Sequence, residues 1–483
     1  MSVIDKFKQE LERAENAKVS VVGQDVLELC ETARHDKITI PREVVSLQTK
    51  KQELRGEAAA LARFADCFVS TEGGQTYVYR ETIDPELGEP ILRRQTVKSF
   101  HELYAGETVM MSTGAKATSR VWFNSPKRPT YPQGLALLPG QTAPTGVYNL
   151  WRGFGFQPNK MATALSVRPA LWHLRYVICS GDRTAYRYLL GWMASAVQHP
   201  ERQAEVAVVM IGGRGTGKGV VGGWFRSMFG AHGTHIQSAD HLTGKFNGHL
   251  KSSVALFVDE AFFVGDRQAN NKLKSLITED RSMLEGKYMT ASAAKNRLKI
   301  MMATNDEHAI SAGGDERRFF VTRVSDRMKQ DHKHFAKLIS WWAGGGDRAF
   351  LWFLLQIRLS QFNIRKVPQT SALADQKLQS LTGLDAWVYE LLQQEEASWE
   401  SGRERSAVSL AAQFKVYCDD SGGRYKYENT SPIAVSKGLR RWLDVDRRRE
   451  SSGSRQWVLA LPDLEEARRQ FATKLNVTIH WDV

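Results

Sequence analysis

Residues Val208 to Phe225 read "VVMIGGRGTGKGVVGGWF", an apolar run that breaks into a glycine-rich turn, passes a lysine and continues with helical character. Gly212 to Lys218 spell G-x-x-x-x-G-K, a loop that wraps phosphate oxygens with backbone N–H groups at a helix N-terminus. A bare match is weak. Here an apolar strand precedes it and an amphipathic segment follows, which is the setting such a loop needs. Gly212, Gly213, Arg214, Gly215, Thr216, Gly217, Lys218 and Gly219 are therefore candidate nucleotide-binding residues. The N–H groups from Gly213 to Gly219 would surround a β-phosphate, and Lys218 would meet the β- and γ-oxygens. Position 219 normally carries the Ser or Thr hydroxyl that touches magnesium. Because Mg²⁺ keeps several waters and needs few protein oxygens beside phosphates, the expectation is a working site with a weaker metal grip.

Three further stretches carry chemistry in the same order along the chain. "VALFVDEA" (Val254 to Ala261) delivers Asp259 and Glu260 to the end of a continuous apolar strand. Asp259 is the candidate metal residue, holding magnesium through water, and Glu260 the group that polarises an attacking water. A helix N-cap is the structural alternative, but paired acids at a buried strand end are costly to desolvate. "KIMMATND" ends in Thr304-Asn305-Asp306, where the Asn305 amide suits hydrogen bonds to both a γ-phosphate and the water. "GGDERRFF" offers Arg317 and Arg318, one of which would stabilise charge on the transferred phosphate from a neighbouring subunit. An isolated arginine pair is otherwise a surface feature, and which of the two acts stays open. Lys218, Asp259, Glu260, Asn305, Arg317 and Arg318 form the candidate catalytic set.

The whole chain fits a polyanionic partner. Its 483 residues carry a net charge of +13, and excess Lys and Arg attract phosphates and displace their counterions. Nucleic acid comes first among the candidates and a membrane surface second. The four cysteines lie far apart with no C-x-x-C pair, so a structural metal or disulfide scaffold is not expected. The charged N-terminal stretch lacks the apolar centre of a signal peptide, and no window reaches the length of a bilayer span, so the expected location is the cytoplasm, with no membrane partner.

Periodicity divides the chain into a helical segment over 1–60, a small α/β accessory domain over 61–160 and a helical collar or connector over 161–200. An α/β core with a mostly parallel sheet, buried on both faces, follows over 201–345. A helical segment over 346–400 and a basic, winged-helix-like domain over 401–483 complete the chain. In the last of these, "SPIAVSKGLRRWL" (Ser431 to Leu443) reads as a recognition helix and "DRRRESSGSRQWVL" as a basic wing; nine basic residues face four acidic ones between Arg424 and Gln456. Lys437, Arg440 and Arg441 are candidate DNA-binding residues, with a solvated helix face as the plain alternative. The Pro-, Gly- and aromatic-rich run ending in "YNLWRGFGFQP" reads as an ordered connector packed by Trp151 and Phe154.

The order and spacing of "YNLWRGFGFQP", "RGTGKG", "FNGHLKSSVALFVDEAFFVGD", "LKSLITE", "EGKY", "MATND" and "DERRFF" resemble the superfamily 3 helicases of the AAA+ class, of the phage and plasmid primase-helicase type. The likeness covers about 180 residues. It implies an AAA+ P-loop core, ATP and Mg²⁺ as cofactors, and a homo-hexameric ring translocating on single-stranded or forked DNA in phage or mobile-element replication, in a bacterial host cytoplasm. Lys218, Asp259, Glu260, Asn305 and one of Arg317 and Arg318 take the roles above. Such helicases place a hairpin in the central channel between the acidic and Asn strands, where this chain reads "EGKYMTASAAKNRLK". Lys287, Tyr288, Lys295 and Arg297 are therefore further DNA-binding candidates, Tyr288 by stacking on a base.

No D-x-D pair suited to two-metal nucleotidyl transfer occurs in the first 200 residues, so a primase or polymerase is expected as a separate partner chain. The competing reading is a nonenzymatic origin-binding or helicase-loader protein switched by ATP. Glu260 and an arginine finger separate the two readings, because binding alone needs neither.

Overall fold

The parallel sheet is built from five short strands whose side chains point alternately into two apolar layers. The computed structural model describes residues 42–86, 88–237, 242, 244, 248–260, 267–284, 292–314, 316–394, 399, 404–449, 457–479 and 481. Contacts divide the chain into one unit of residues up to 135 plus 144–148, and a second of residues 136–143 plus 149–483.

In the first unit, α1 (Arg42–Arg63) leads into an antiparallel meander of β1 (Cys67–Glu72), β2 (Gln75–Ile83) and β3 (Pro90–Thr96). Helix α2 (Val97–Leu103) starts on a Thr96 side-chain cap and is followed by α3 (Thr118–Asn124). Phe64, Phe100 and Tyr104 pack edge to face, with the Trp122 ring tilted against Phe64 and Phe100, as the centre of this small core.

The second unit begins with α4 (Arg168–His173) and α5 (Arg183–Gln198), the latter capped by Asp182. The sheet contains β4 (Ala207–Ile211), β5 (Gly233–Ile236), β6 (Ala255–Asp259), β7 (Lys299–Thr304) and β8 (Phe319–Arg323), all parallel, in the order β5-β6-β7-β4-β8. Val208, Met210, Phe257, Met301 and Phe320 enter one apolar cluster; Val209, Ile211, Leu256, Val258, Ile300 and Val321 enter the other. A period of two with both faces apolar is what burial on both sides requires. Helix α6 (Lys218–Met228) covers the first face through Val221, Trp224 and Phe225, joined by α5 and α7 (Asp347–Gln356). On the second face lie Leu273, Leu276 and Ile277 from the helix spanning Arg267–Thr278, and Ala372 and Leu373 from α8 (Ser371–Gln379). Trp151 and Phe154 pack against the first cluster, as the connector reading expects, and so do Trp341 and Trp342.

Toward the C-terminus, α9 (Leu384–Leu392), α10 (Ala407–Asp420), α11 (Pro432–Trp442) and α12 (Leu464–Leu475) enclose a third core with a three-stranded antiparallel sheet. Its strands are β9 (Glu404–Ser406), β10 (Asp446–Arg449) and β11 (Trp457–Ala460), in the order β9-β11-β10. The tip between β10 and β11, part of the expected wing, lies outside the described residues. Among the described residues, no helix is long and apolar enough to cross a membrane.

Candidate functional site

Strand order brings the candidate residues together. Ile211, Thr304 and Asp259 end three strands that are neighbours in the sequence β4-β7-β6, with Thr304 paired to Ile211 and Asp259 to Ala303. At the usual spacing of about 4.8 Å between strands, the glycine loop, Asn305 and the acid pair share one edge spanning about 10 Å. Ligands of open α/β sheets bind at this carboxyl edge, where connections leave a strand toward opposite sides. Strand β4 is such a point, because β7 lies on one side of it and β8 on the other.

Lys218 opens helix α6 and is 7% exposed. Its Nζ donates to Gly212 O (2.6 Å), Gly213 O (2.8 Å) and Asn305 Oδ1 (3.1 Å). The lysine and the amide singled out in separate motifs thus meet. Burial lowers the pKa of Lys218, while the Asp259 and Asp326 carboxylates act in the opposite direction. The Thr216 hydroxyl donates to Gly213 O (2.8 Å), inside the loop.

Gly217 caps α6 with φ +96°, and a Cβ there would sit 2.7 Å from a Phe335 ring carbon and 2.9 Å from His173 Nε2. Both the backbone and the neighbours demand glycine. At Gly219, by contrast, an added Cβ would meet nothing within 4 Å.

Asp259 is half-buried, and its Oδ1 accepts from the Glu260 N–H (3.1 Å). Glu260 is exposed and holds φ +56°, a left-handed conformation costly for a residue with a Cβ.

The arginines lie elsewhere. Ala207 N donates to Arg318 O (2.8 Å), so the pair sits at the amino edge of the sheet, a strand length of about 16 Å from the glycine loop. Arg318 is tied down: Glu316 Oε1 accepts from its N (2.9 Å) and its Nη1 (3.4 Å), and Glu316 also pairs with Lys274 (3.2 Å). Arg317 is exposed, with no ion pair to any described residue.

Two further segments border the loop, the chain after β8 and the end of α4 within the helical stretch expected over 161–200. Arg323 pairs with Ile211, so the chain leaving β8 runs beside the glycine loop. Gln330 N donates to Gly215 O (3.0 Å), and the Asp326–Lys329 ion pair (3.3 Å) stands against Gly213. From α4, His173 is fully buried, with Nδ1 3.0 Å from His334 Nε2. Burial and the neighbouring His334 pull its pKa down to about 3.

Of the DNA-binding candidates, Lys287 and Tyr288 lie outside the described residues. The paired strands Arg281–Leu284 and Ser292–Lys295 that flank them form an antiparallel hairpin, with Lys295 exposed. Arg297 is half-buried, and burial lowers its pKa. On α11, Lys437 and Arg440 are exposed beside Ile433, which is 82% exposed. Arg441 instead pairs with Asp385, whose Oδ1 also accepts from Trp442 Nε1 (2.7 Å). Across β10 and β11, Arg447 and Arg449 lie over the Trp457 ring, 4.5 Å and 5.3 Å from its centroid.

The pattern of a family described as "Family of unknown function (DUF5906)" matches residues 210–318, an interval that holds all six candidate catalytic residues. Over 164 residues the chain is 23% identical to the DNA Primase-polymerase of Nitratiruptor phage NrS-1; the match takes in 33% of this chain and 22% of that protein. The chain thus matches about a fifth of that relative's length. Solved apo structures of the NrS-1 C-terminal region are similar in fold, with TM-scores of 0.55 and 0.56 at 14% identity, covering 85% of this chain and 99% and 100% of those chains.

Proposed function

We propose that this protein is an ATP-driven DNA helicase of phage or mobile-element replication, with ATP hydrolysed between subunits of a ring. The observation that carries the reading is the Lys218–Asn305 hydrogen bond at a sheet edge shared with Asp259 and Glu260. A lysine for the phosphates, an amide between them and the water, and a strand-end acid pair are the parts that phosphoryl transfer to water needs. The similarity to a phage primase-polymerase supports a place in DNA replication.

Within the reading, Lys218 Nζ exchanges its loop carbonyls for phosphate oxygens, Asn305 orients the water, and Glu260 draws its proton. The residues fit Mg²⁺, which would supply charge neutralisation on the phosphates: Asp259 would hold it through water, and no side chain at Gly219 would add a ligand. Arg317, which makes no ion pair with any described residue and stands too far from its own loop to reach its nucleotide, serves the adjoining protomer. Arg318 is its anchored neighbour.

Phosphate release and binding of a fluorescent ATP analogue test the reading together. Glu260→Gln is expected to bind the analogue like wild type and lose about 100-fold or more in kcat, while Lys218→Ala loses binding. Equal turnover in Glu260→Gln and wild type would instead favour the ATP-switched loader, in which the acid has no task.

A further inference from the structure

The arginine loop and the C-terminal core share one buried cation. Lys377, on α8, is 1% exposed. Its Nζ donates to Gly314 O (2.8 Å) in the loop before Arg317, and to Leu475 O (3.1 Å) and Asn476 O (3.0 Å) at the end of α12. Those last two carbonyls belong to a helix C-terminus, where a cation meets the negative end of the helix dipole. Asn476 closes that helix in a left-handed conformation, and a Cβ on Gly314 would lie 3.2 Å from Lys474 O, so loop and helix end are in direct contact.

The rest of α8 holds the same loop. Gln376 Oε1 accepts from Ala309 N (2.8 Å) and Ile310 N (3.2 Å), its Nε2 donates to Glu307 O, and Ser380 Oγ accepts from Ala312 N (3.0 Å). Residues 307–314 run from the Asn305 strand to the arginines, so one helix grips the whole connection between the two. On its other sides α8 inserts Leu373 into the core under the sheet and packs Leu378 on the C-terminal core.

We infer that Lys377 is a positioning residue that couples the C-terminal basic module to the arginine loop, so that DNA held by the module sets the place of Arg317. The inference rests on the motor reading above. Charge-assisted hydrogen bonds to three backbone carbonyls give the joint a fixed geometry, and a small displacement of a finger is enough to change turnover.

The test uses the full chain and a single-stranded dT oligonucleotide. Lys377→Met removes the joint, Gly314→Ala loosens it from the loop side, and Lys299→Met is the control. Lys299 is another buried lysine bonded to backbone carbonyls, those of Pro200, Arg202 and Arg297, none of which is among the Gly314, Leu475 and Asn476 carbonyls of the joint. With Lys377→Met, KM for ATP stays within about twofold, while kcat with oligonucleotide falls about tenfold or more and the stimulation by DNA disappears. Gly314→Ala shows the same split to a smaller degree, and Lys299→Met keeps the wild-type stimulation ratio. Unchanged stimulation in both joint variants, or equal loss in Lys299→Met, overturns the inference.

Amide hydrogen exchange separates this outcome from failure of the motor reading. If wild type hydrolyses no ATP, the motor reading has failed. Coupling then stands only if the oligonucleotide alters exchange over 307–314 in wild type and not in Lys377→Met; unaltered exchange in wild type overturns it.

Discussion

Gly219 and His173 show how single positions around one loop carry separate tasks. Position 219 lies in the first turn of α6 with open space around it. Gly219→Ser therefore is expected to fold, to gain up to about 0.5 kcal/mol from the better helix former, and to supply the missing hydroxyl. Magnesium titration of ATP hydrolysis should show a lower half-saturating concentration in the variant; an unchanged value would mean that the loop hydroxyl has no part in metal binding here.

His173 makes the loop's support sensitive to acid. Its pKa falls from 6.5 to about 3 on folding, so between those values the unfolded chain binds the proton that the folded chain refuses. Stability is therefore greatest above about pH 6.5 and declines toward pH 3, by up to about 1.4 kcal/mol per pH unit from this group. His334, lowered in the same direction by burial, adds to the trend. His173→Asn should flatten the fall of Tm between pH 6 and 4; an equally steep fall in the variant would place the acid sensitivity elsewhere.

Elements were legible to different depths for physical reasons. Strands β4, β6 and β7 are continuous apolar runs ending in chemistry-bearing residues, so both their existence and their polarity could be read from the sequence. Their order could not: the neighbourhood of Thr304 and Ile211 depends on hydrogen bonds between segments nearly a hundred residues apart. For the same reason nothing in "SDRMKQDHKHF" points to the glycine loop, although its Asp326, Lys329 and Gln330 lie against that loop. The arginine pair read as a unit in sequence, whereas Glu316 anchors Arg318 and leaves Arg317 exposed. On the basic face of helix α11, Arg441 is exposed but pairs with Asp385 on α9, which Lys437 and Arg440 do not.

Exposed Lys437 and Arg440 are thus the part of α11 suited to phosphate contacts. Replacing each by Ala should weaken DNA binding similarly across sequences and reduce the slope of log affinity against log salt by about one per residue. Fluorescence anisotropy over a salt series reads both; an unchanged slope would assign the face to solvation alone.

At the scale of the whole molecule, the site is divided by geometry. Lys218, Asn305, Asp259 and Glu260 share the carboxyl edge of the sheet, while Arg317 stands at the amino edge. Under the proposed motor reading a single chain would not complete the set, whereas a ring in which one protomer's amino edge faces the next one's loop would. The net charge of +13 suits the polyanion that such a ring would enclose.

Particle imaging of the protein with Mg²⁺, a nonhydrolysable ATP analogue and forked DNA tests this account most directly. It predicts closed rings with a strand through the centre, the triphosphate against Lys218 and Asn305 of one protomer and Arg317 of the adjoining one. Single protomers with nucleotide bound, or rings whose interfaces leave Arg317 away from the phosphates, would contradict it.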